Sequence, residues 1–147
     1  MSLLLRPLVF DDRHVMEPVE QAAHQHPWSV ALLAQSFSER NISVGAWREE
    51  QLLGYFIADT ILDESTLLNI CVHPCHQGRG VGGELLHYYF EQCALRHIKY
   101  HYLEVRASNQ AAQALYARYG YVVSGRRRDY YPTPCGYEDA ILMQLTK

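Results

Sequence analysis

The sequence predicts a mixed α/β (α+β) domain, in which about four helices cover a sheet of about seven strands. Two observations predict this class. Runs rich in β-branched and aromatic residues interleave with amphipathic runs in the order β-α-α-β-β-β-α-β-α-β-β. The length of 147 residues is also typical of one domain with its own core. We therefore expect residues 1–147 to form a single domain.

A short strand and two helices open this order. Leu3 to Leu5 is apolar and predicts the strand, and the segment from Arg6 to His24 predicts a loop followed by a helix. The apolar positions at helical spacing are Val15, Met16, Val19 and Ala23. The sequence His26-Pro27-Trp28-Ser29 ends that helix, and Ser29 is a typical N-cap for a second helix that runs to about Phe37.

Three strands and a longer helix follow. The strands are Asn41 to Trp47, Leu52 to Leu62 and Thr66 to Val72, and their connections are short enough for antiparallel hairpins. After Val72 the apolar period becomes helical, behind a glycine-rich turn. The apolar face of this helix consists of Val81, Leu85, Leu86, Tyr89, Phe90 and Cys93.

The C-terminal part predicts a strand, a helix and two more strands. Tyr100 to Arg106 is the strand, Ser108 is the expected N-cap of the helix, and Gly120 ends it. One face of the helix carries Ala112, Leu115, Tyr116 and Tyr119. Tyr121 to Val123 and Gly136 to Leu145 are the last strands, with residues 126–134 as their connection.

Charge and hydropathy exclude several classes of function. The 13 Lys and Arg residues against 16 Asp and Glu residues give a net charge of −3, so no global positive field favours nucleic acid, whereas a cationic substrate suits the chain. No stretch approaches the roughly 20 apolar residues of a membrane span. The N-terminal apolar run is too short for an export signal, so we expect a cytoplasmic protein whose 4 cysteines are free thiols.

A glycine-rich turn, Gln77 to Gly83, stands between a predicted strand and a helix, where free backbone N–H groups favour an anionic ligand such as a phosphate. Gly78, Gly80 and Gly83 also match the dinucleotide motif G-x-G-x-x-G, with Glu104 near the position of its ribose-binding acid. That motif follows the strand of a first β-α-β unit immediately, which is not the case here. A Walker loop is excluded because no Gly-Lys-Ser or Gly-Lys-Thr follows. A turn that merely starts the helix stays open as an alternative.

Several short motifs together resemble one enzyme family. Gln77-x-x-Gly80-x-Gly82 follows Val72-His73-Pro74, and Leu103-Glu104-Val105-Arg106-Ala107-Ser108-Asn109 precedes Ala114-Leu115-Tyr116 and Gly120-Tyr121. Pro27-Trp28-Ser29 and Glu138-Asp139-Ala140 extend the likeness to most of the chain. The sequence thereby resembles the GCN5-related N-acetyltransferases (GNAT family), and within them the RimI-type ribosomal-protein alanine N-acetyltransferases. This implies the GNAT fold, with a sheet splayed so that acetyl-coenzyme A enters between the fourth and fifth strands.

The resemblance also implies a reaction and its residues. The acetyl group would pass from acetyl-coenzyme A to the N-terminal alanine of small-subunit ribosomal protein eighteen, a basic polypeptide. Glu104 would be the general base, Tyr116 the acid that protonates the leaving thiolate, and Tyr131 a peptide contact. The implied cofactor contacts are the backbone of Ile70, Cys71 and Val72, the pyrophosphate loop Gln77, Gly78, Arg79, Gly80, Val81, Gly82 and Gly83, and the side chain of Asn109.

The chemistry itself requires a neutral amine, because a protonated amine has no lone pair with which to attack a thioester. An α-amine with a pKa near 8 is roughly a tenth neutral at pH 7, so a carboxylate suffices as its base. We expect Glu104 to lie buried among its neighbours in the run, which would raise its pKa and strengthen it as a base. These neighbours are Tyr100, Tyr102, Leu103 and Val105. Tyr116 also fits a purely structural role, because tyrosines on an apolar helix face are usually core residues.

Other functions stay open at this point. The same motifs allow a different protein N-terminus, a lysine or a polyamine as the acceptor, and a non-catalytic coenzyme A sensor would share the fold. The Cys and His residues at positions 71, 73, 75 and 76 suggest a metal, but they lack the second ligand pair of a zinc finger, so we expect none. The run from Arg126 to Arg128 is more typical of a solvated strand edge than of an RNA contact. The oligomeric state is not predicted.

Overall fold

The computed structural model of the protein describes residues 3–147, so Met1 and Ser2 of the predicted domain lie outside the described residues. Within this range the structure has seven strands and four α-helices, as the sequence predicts. The strands are β1 (Leu4–Pro7), β2 (Asn41–Arg48), β3 (Gln51–Ile61), β4 (Glu64–Val72), β5 (Tyr100–Arg106), β6 (Val122–Thr133) and β7 (Gly136–Thr146). The helices are α1 (Arg13–Ala23), α2 (Val30–Leu33), α3 (Val81–Leu95) and α4 (Gln110–Arg118). In the described range, no helix is long and apolar enough to cross a membrane.

The strands form one mixed sheet in the order β1-β2-β3-β4-β5-β7-β6. Among residues 3–147 only β4 and β5 pair in parallel, which the crossover through α3 permits. Their pairing covers Glu64–Leu67 against Tyr100–Leu103, although both strands continue beyond it. The sheet is therefore splayed between its fourth and fifth strands, as predicted.

A β-bulge at Leu68 changes the direction of the β4 side chains where the splay begins. Leu67 and Asn69 pair with the consecutive β3 residues Ala58 and Ile57, so Leu68 is the extra residue. Leu67 packs in the core beneath α3, whereas Asn69 hydrogen-bonds a side chain of α1. Beyond the bulge, Asn69 and Cys71 face α1, and Ile70 and Val72 face α3.

One hydrophobic core lies on each face of the sheet. On the face covered by α3 and α4, which we call the α3 face, α3 buries the whole apolar stripe that the sequence predicts. On the opposite face, the α1 face, α1 and α2 bury Met16, Val19 and Leu33 against the sheet. Leu103 and Val105 of β5 point into the α3-face core, so Glu104 and Arg106 between and after them point to the α1 face.

The helix boundaries differ from the prediction in two places. Asn109, not Ser108, caps α4, because Asn109 Oδ1 accepts from the Ala112 N–H at 3.1 Å while Ser108 Oγ donates to Glu138 at 2.8 Å. Serine and asparagine are both good N-caps, so sequence alone does not separate such neighbours. α2 begins after the predicted cap, Ser29, but ends after 4 residues, well short of Phe37.

The last hairpin gives the largest correction. Most of the segment 126–134, which the sequence predicts as a connection, continues β6 against β7. The register shifts between Arg127 and Tyr131, which is a bulge in the middle of the strand. β6 is the edge strand of the sheet, and an edge strand tolerates a run of arginines and a proline such as Pro132. The arginines and the proline therefore hide the alternation of apolar and polar residues from which a strand is predicted.

Candidate functional site

A cleft of about 680 Å³ lies between the splayed ends of β4 and β5. Its lining includes residues from both faces of the sheet. Every site residue predicted from the sequence lines this cleft except Arg79, which is exposed on the glycine-rich turn. The members of the predicted set in the lining are Ile70, Cys71, Val72, Gln77, Gly78, Gly80, Val81, Gly82, Gly83, Glu104, Asn109, Tyr116 and Tyr131.

The glycine-rich turn leaves the N-terminus of α3 open to the cleft. Gly78 and Gly80 have φ angles of 76° and 83°, a left-handed conformation that residues with a Cβ rarely adopt. Gly80 is the N-cap of α3 and supplies no side-chain oxygen to the first turn. The Glu84 N–H donates to Gly80 O at 3.0 Å, so the N–H groups of 81–83 precede the first helical hydrogen bond. Free donors of this kind at the positive end of a helix can bind an anion.

Packing, rather than its backbone angles, favours glycine at position 83. A Cβ at this position would lie 3.0 Å from the hydroxyl oxygen of Tyr119. The same hydroxyl donates a hydrogen bond to Gly83 O at 3.0 Å. α4 is therefore in direct contact with the first turn of α3.

The edge of β4 supplies backbone groups to the cleft. Because β5 stops pairing after Leu67, the backbone from Ile70 to Val72 has no strand partner on that side within the described residues. Gln77 Nε2 donates to Val72 O at 2.9 Å, which ties the glycine-rich turn to the end of the strand. An extended ligand with amide groups can pair with such an edge as an added strand does.

Tyr116 and Asn109 belong to the α4 side of the cleft. Tyr116 is only 6% exposed, and its ring packs against Tyr121 with centroids 5.8 Å apart. Burial, and to a smaller degree the nearby Tyr131, raises the pKa of Tyr116 above its ordinary value near 10. The side chain is thus both a core residue and a protonated phenol beside the cleft. Asn109 uses its Oδ1 to cap α4, so its amide nitrogen is the group available to a ligand.

Glu104 projects from β5 onto the α1 face of the cleft. Its side chain is 31% exposed, so the predicted burial among its sequence neighbours is wrong. Leu103 and Val105 point to the other face of the strand, and Tyr100 and Tyr102, on the same face as Glu104, are themselves partly exposed. Arg127 Nε lies 3.2 Å from Glu104 Oε1. Arg127 comes from β6 and reaches across β7, where the small side chain of its pairing partner Ala140 leaves room. The ion pair engages one carboxylate oxygen and leaves Oε2 for a ligand.

Tyr131 stands beside this ion pair. The Arg106 guanidinium lies 4.4 Å from the centre of the Tyr131 ring, and Arg106 Nη1 donates to Pro132 O at 3.2 Å. Burial, followed by the charge of Glu104, raises the pKa of Tyr131. Tyr131 is therefore a neutral phenol fixed near the carboxylate.

The opposite wall of the α1 face contains a buried carboxylate. Glu20 of α1 is 0% exposed. Its Oε1 accepts hydrogen bonds from the Tyr55 hydroxyl and from Asn69 Nδ2 at 2.8 Å, and its Oε2 accepts from the Trp28 N–H at 2.9 Å. His24 Nε2 lies 2.9 Å from Asn69 Oδ1. Helix α1, strands β3 and β4 and the turn after α1 thus meet at one ionisable group beside the cleft.

The Cys and His residues at positions 71, 73, 75 and 76, which the sequence suggested as metal ligands, do not form a shared site within the described residues. Within the part of the chain that the structure describes, the ligand atoms close enough to share an ion belong to Glu20, His24 and Cys71, within 4.8 Å of one another. Both Glu20 oxygens already accept hydrogen bonds. Burial, and then the Glu20 charge, raises the pKa of the Cys71 thiol. The trio therefore presents an engaged carboxylate and a protonated thiol.

Sequence reasoning missed Glu20, which lines the cleft, and Arg127, which lies outside the lining but contacts Glu104. A signal existed for Glu20, which lies four positions after Met16 on the apolar stripe of α1, where a carboxylate must find partners inside the protein. The predicted stripe member Val15 is instead 45% exposed. No comparable signal existed for Arg127, because its contact with Glu104 depends on the pairing of three strands.

Known proteins are similar to this chain over most of its length. Residues 8–121 match the model of the acetyltransferase (GNAT) family. The ribosomal protein bS18-alanine N-acetyltransferase of Salmonella typhimurium is 41% identical over 127 residues, which is 86% of each chain. The crystal structure of the ribosomal-protein-S18-alanine N-acetyltransferase from Escherichia coli is similar at a TM-score of 0.94 and 37% identity, over 99% of this chain and 94% of that one. The PaiA N-acetyltransferase of Thermoplasma acidophilum, in complex with coenzyme A, shares the fold at a TM-score of 0.77 and 17% identity over 100% of both chains.

Proposed function

The chain belongs to the acetyltransferase (GNAT) family, and we propose that it transfers the acetyl group of acetyl-coenzyme A to the N-terminal alanine of ribosomal protein bS18. One observation carries the proposal. The cleft between β4 and β5 has an anion-binding helix N-terminus on the α3 face and a carboxylate, Glu104, on the α1 face. A donor bound from one face and an acceptor bound from the other meet in the gap, which is what a direct transfer needs.

The α3 face suits coenzyme A. The N–H groups of residues 81–83 would hold its pyrophosphate, and the backbone from Ile70 to Val72 would pair with its pantetheine amides. The amide nitrogen of Asn109 would donate to the same ligand. The coenzyme A complex of the PaiA N-acetyltransferase, which shares the fold, supports this assignment. Bound acetyl-coenzyme A supplies an activated acyl group, so the protein's task is to orient and deprotonate the amine.

The proposal assigns one proton transfer to each of two residues on opposite faces of the sheet, Glu104 as the base and Tyr116 as the acid. Glu104 Oε2 takes a proton from the acceptor amine, whose nitrogen bonds to the thioester carbonyl carbon as the carbon–sulfur bond breaks. Tyr116 gives its hydroxyl proton to the leaving sulfur, since its raised pKa keeps it protonated until then. Glu104 passes both protons that the ammonium group loses to solvent, one after the other. Tyr116 regains from solvent the proton that it gave to the sulfur, so one proton is released overall.

The acceptor is a protein N-terminus by the evidence of the relatives, which are named for the bS18 alanine. Tyr131 stands beside Glu104 on the acceptor side and would contact the first residues of the peptide. An α-amine needs less help from its base than a lysine does, and the half-exposed carboxylate of Glu104 suits that easier task. A chain of net charge −3 also suits a basic polypeptide. Such a substrate places the reaction in the cytoplasm.

The test is a transfer assay with located product. The purified protein is mixed with acetyl-coenzyme A and a peptide that carries the bS18 N-terminal sequence beginning with alanine and also contains an internal lysine. Fragmentation by mass spectrometry should find the acetyl group on the alanine α-amine. A control peptide with a blocked N-terminus should stay unlabelled. Label on lysine alone would overturn the acceptor assignment, and absence of coenzyme A binding by calorimetry would overturn the proposal as a whole.

A further inference from the structure

The hydrogen bonds of Glu20 determine the orientation of the Asn69 side chain. Both Glu20 oxygens are acceptors, and the group that Asn69 turns toward Oε1 must therefore be its NH₂, at 2.8 Å. The other end of the amide, Oδ1, then faces His24 Nε2 at 2.9 Å. Because Oδ1 is only an acceptor, His24 must carry a proton on Nε2. The buried carboxylate thus selects one tautomer of a histidine two hydrogen bonds away.

This tautomer leaves Nδ1 of a neutral His24 as a hydrogen-bond acceptor. The side chain is 31% exposed and lines the cleft on the α1 face, the face to which Glu104 also points. The carboxylate of Glu20 lies 3.9 Å from His24 Nε2 and adds negative charge behind the ring. In its neutral form His24 therefore offers an acceptor atom at this wall of the cleft, with a carboxylate nearby, a combination that suits an N–H donor or a cation.

Given the proposed function, on which this inference rests, the donor that enters the α1 face is the N-terminus of the acceptor peptide. We propose that His24 binds this N-terminus by accepting an N–H hydrogen bond through Nδ1, and that Glu20 and Asn69 are positioning residues that fix His24 for the contact. Glu20 also holds the Trp28 N–H at 2.9 Å, so the turn between His24 and Trp28 is fixed by the same group. The acceptor amine is then held between His24 on one wall and Glu104 on the other.

A carboxylate suits the Glu20 position better than any neutral side chain. Three donors converge on it from Tyr55, Asn69 and Trp28, and an amide in its place would set its own NH₂ against at least one of them. Glu20→Gln should therefore loosen both the Asn69 orientation and the Trp28 turn. The proposal predicts a loss of acceptor binding in this variant without a loss of coenzyme A binding, since the α3 face is not involved.

The kinetic test uses His24→Phe, which keeps an aromatic ring and removes Nδ1. The KM for an alanine-terminated bS18 peptide should rise about tenfold, the effect of one hydrogen bond to a charged donor, while the KM for acetyl-coenzyme A stays unchanged. His14→Phe, on the exposed side of the same helix, is the matched control and should behave as the wild type. An unchanged peptide KM in His24→Phe overturns the proposal.

The structural test does not depend on activity. Long-range ¹H–¹⁵N spectra of the folded wild-type protein should show His24 as the Nε2–H tautomer, and Asn69→Ala should give a mixture of tautomers. An Nδ1–H tautomer in the wild type overturns the proposal even if transfer is efficient. Conversely, a wild type that shows the expected tautomer but transfers no acetyl group would contradict the proposed function, and with it the peptide contact of His24, while the tautomer itself would stand.

Discussion

The environment of polar side chains differs between the half of β4 and β5 that pairs and the half that is splayed apart. In the paired half, Ser65 hydrogen-bonds Tyr89 and also His101 Nδ1, the latter at 2.9 Å, and all three side chains are buried. In the splayed half, the buried Glu20 reaches the cleft wall through Asn69, and Glu104 lies partly open to solvent. One extra residue, Leu68, separates the two halves. The paired half stabilises the sheet, and the splayed half presents charged groups to a ligand.

The comparison also separates two kinds of buried ionisable group. Burial first, and the charge of Lys147 second, lowers the pKa of His101 to about 4, so this histidine is neutral in the folded protein at pH 7. Glu20 is equally inaccessible, but it accepts three hydrogen bonds that compensate a negative charge. Changes in the paired half should therefore alter folding, and changes in the splayed half should alter transfer.

The largest effect is expected at Glu104. Glu104→Gln keeps the size of the side chain but removes the base, so kcat should fall by about a thousandfold, or ~4 kcal/mol of barrier. The dissociation constant of coenzyme A, measured by calorimetry, should stay within twofold of wild type, because the proposal places the cofactor on the other face. A variant that retains wild-type kcat would remove Glu104 from the reaction and weaken the distinction between the two faces.

The paired half should show its effect in the pH dependence of stability. Folded His101 takes up its proton only near pH 4, whereas the unfolded chain does so near 6.5, so the unfolded state binds more protons between these values. The free energy of unfolding should therefore fall as the pH drops through this window, by about 3 kcal/mol in total. Urea unfolding at several pH values measures the effect. His101→Phe should flatten the dependence, and an equally steep curve in this variant would assign the effect to other groups.

Tyr116 tests whether a core residue also takes part in transfer. Tyr116→Phe removes only the hydroxyl, so kcat should fall by about a hundredfold, or ~2.7 kcal/mol, if the phenol protonates the leaving sulfur. The melting temperature should change little, because the ring still packs against Tyr121. A lower melting temperature with normal turnover would instead make Tyr116 a structural residue alone.

The smallest effect is expected from the ion pair at Glu104. Arg127→Met should lower kcat/KM about fivefold, or ~1 kcal/mol, because the exposed pair contributes little beyond fixing one carboxylate oxygen. Arg126→Met is the matched control, since Arg126 pairs with Asp139 at 2.7 Å on the same strand. Equal losses in the two variants would indicate that the charge of the strand matters and not the contact with Glu104.

Most of the fold was predictable from the sequence because local patterns determine it. The order of seven strands and four helices, the splay and the family were all predicted and are confirmed. The predicted burial of Glu104 was wrong, because Leu103 and Val105 point to the other face of the sheet and the tyrosines on its own face are partly exposed. β6 was underestimated, since arginines on an edge strand mask the alternation that identifies interior strands.

The wall of the cleft around Glu20, which we propose binds the acceptor, was the least predictable part of the site. The residues around Glu20 come from positions 20, 24, 28, 55 and 69, and nothing in their spacing connects them. Their contacts exist only once α1 has docked on the α1 face beyond the bulge. The groups that we propose bind the cofactor were easier to identify from the sequence. They follow one another along a single strand, turn and helix.

The contact between Gly83 and Tyr119 has a mechanical consequence for the donor half of the reaction. The Tyr119 hydroxyl joins the first turn of α3 to α4, and α4 also carries Tyr116 three residues earlier. The backbone N–H groups that would hold the diphosphate and the phenol that would protonate the sulfur are therefore connected through this contact. A side chain at position 83 would press on the Tyr119 hydroxyl, since a Cβ there would lie 3.0 Å from its oxygen, and so disturb the contact between the two helices.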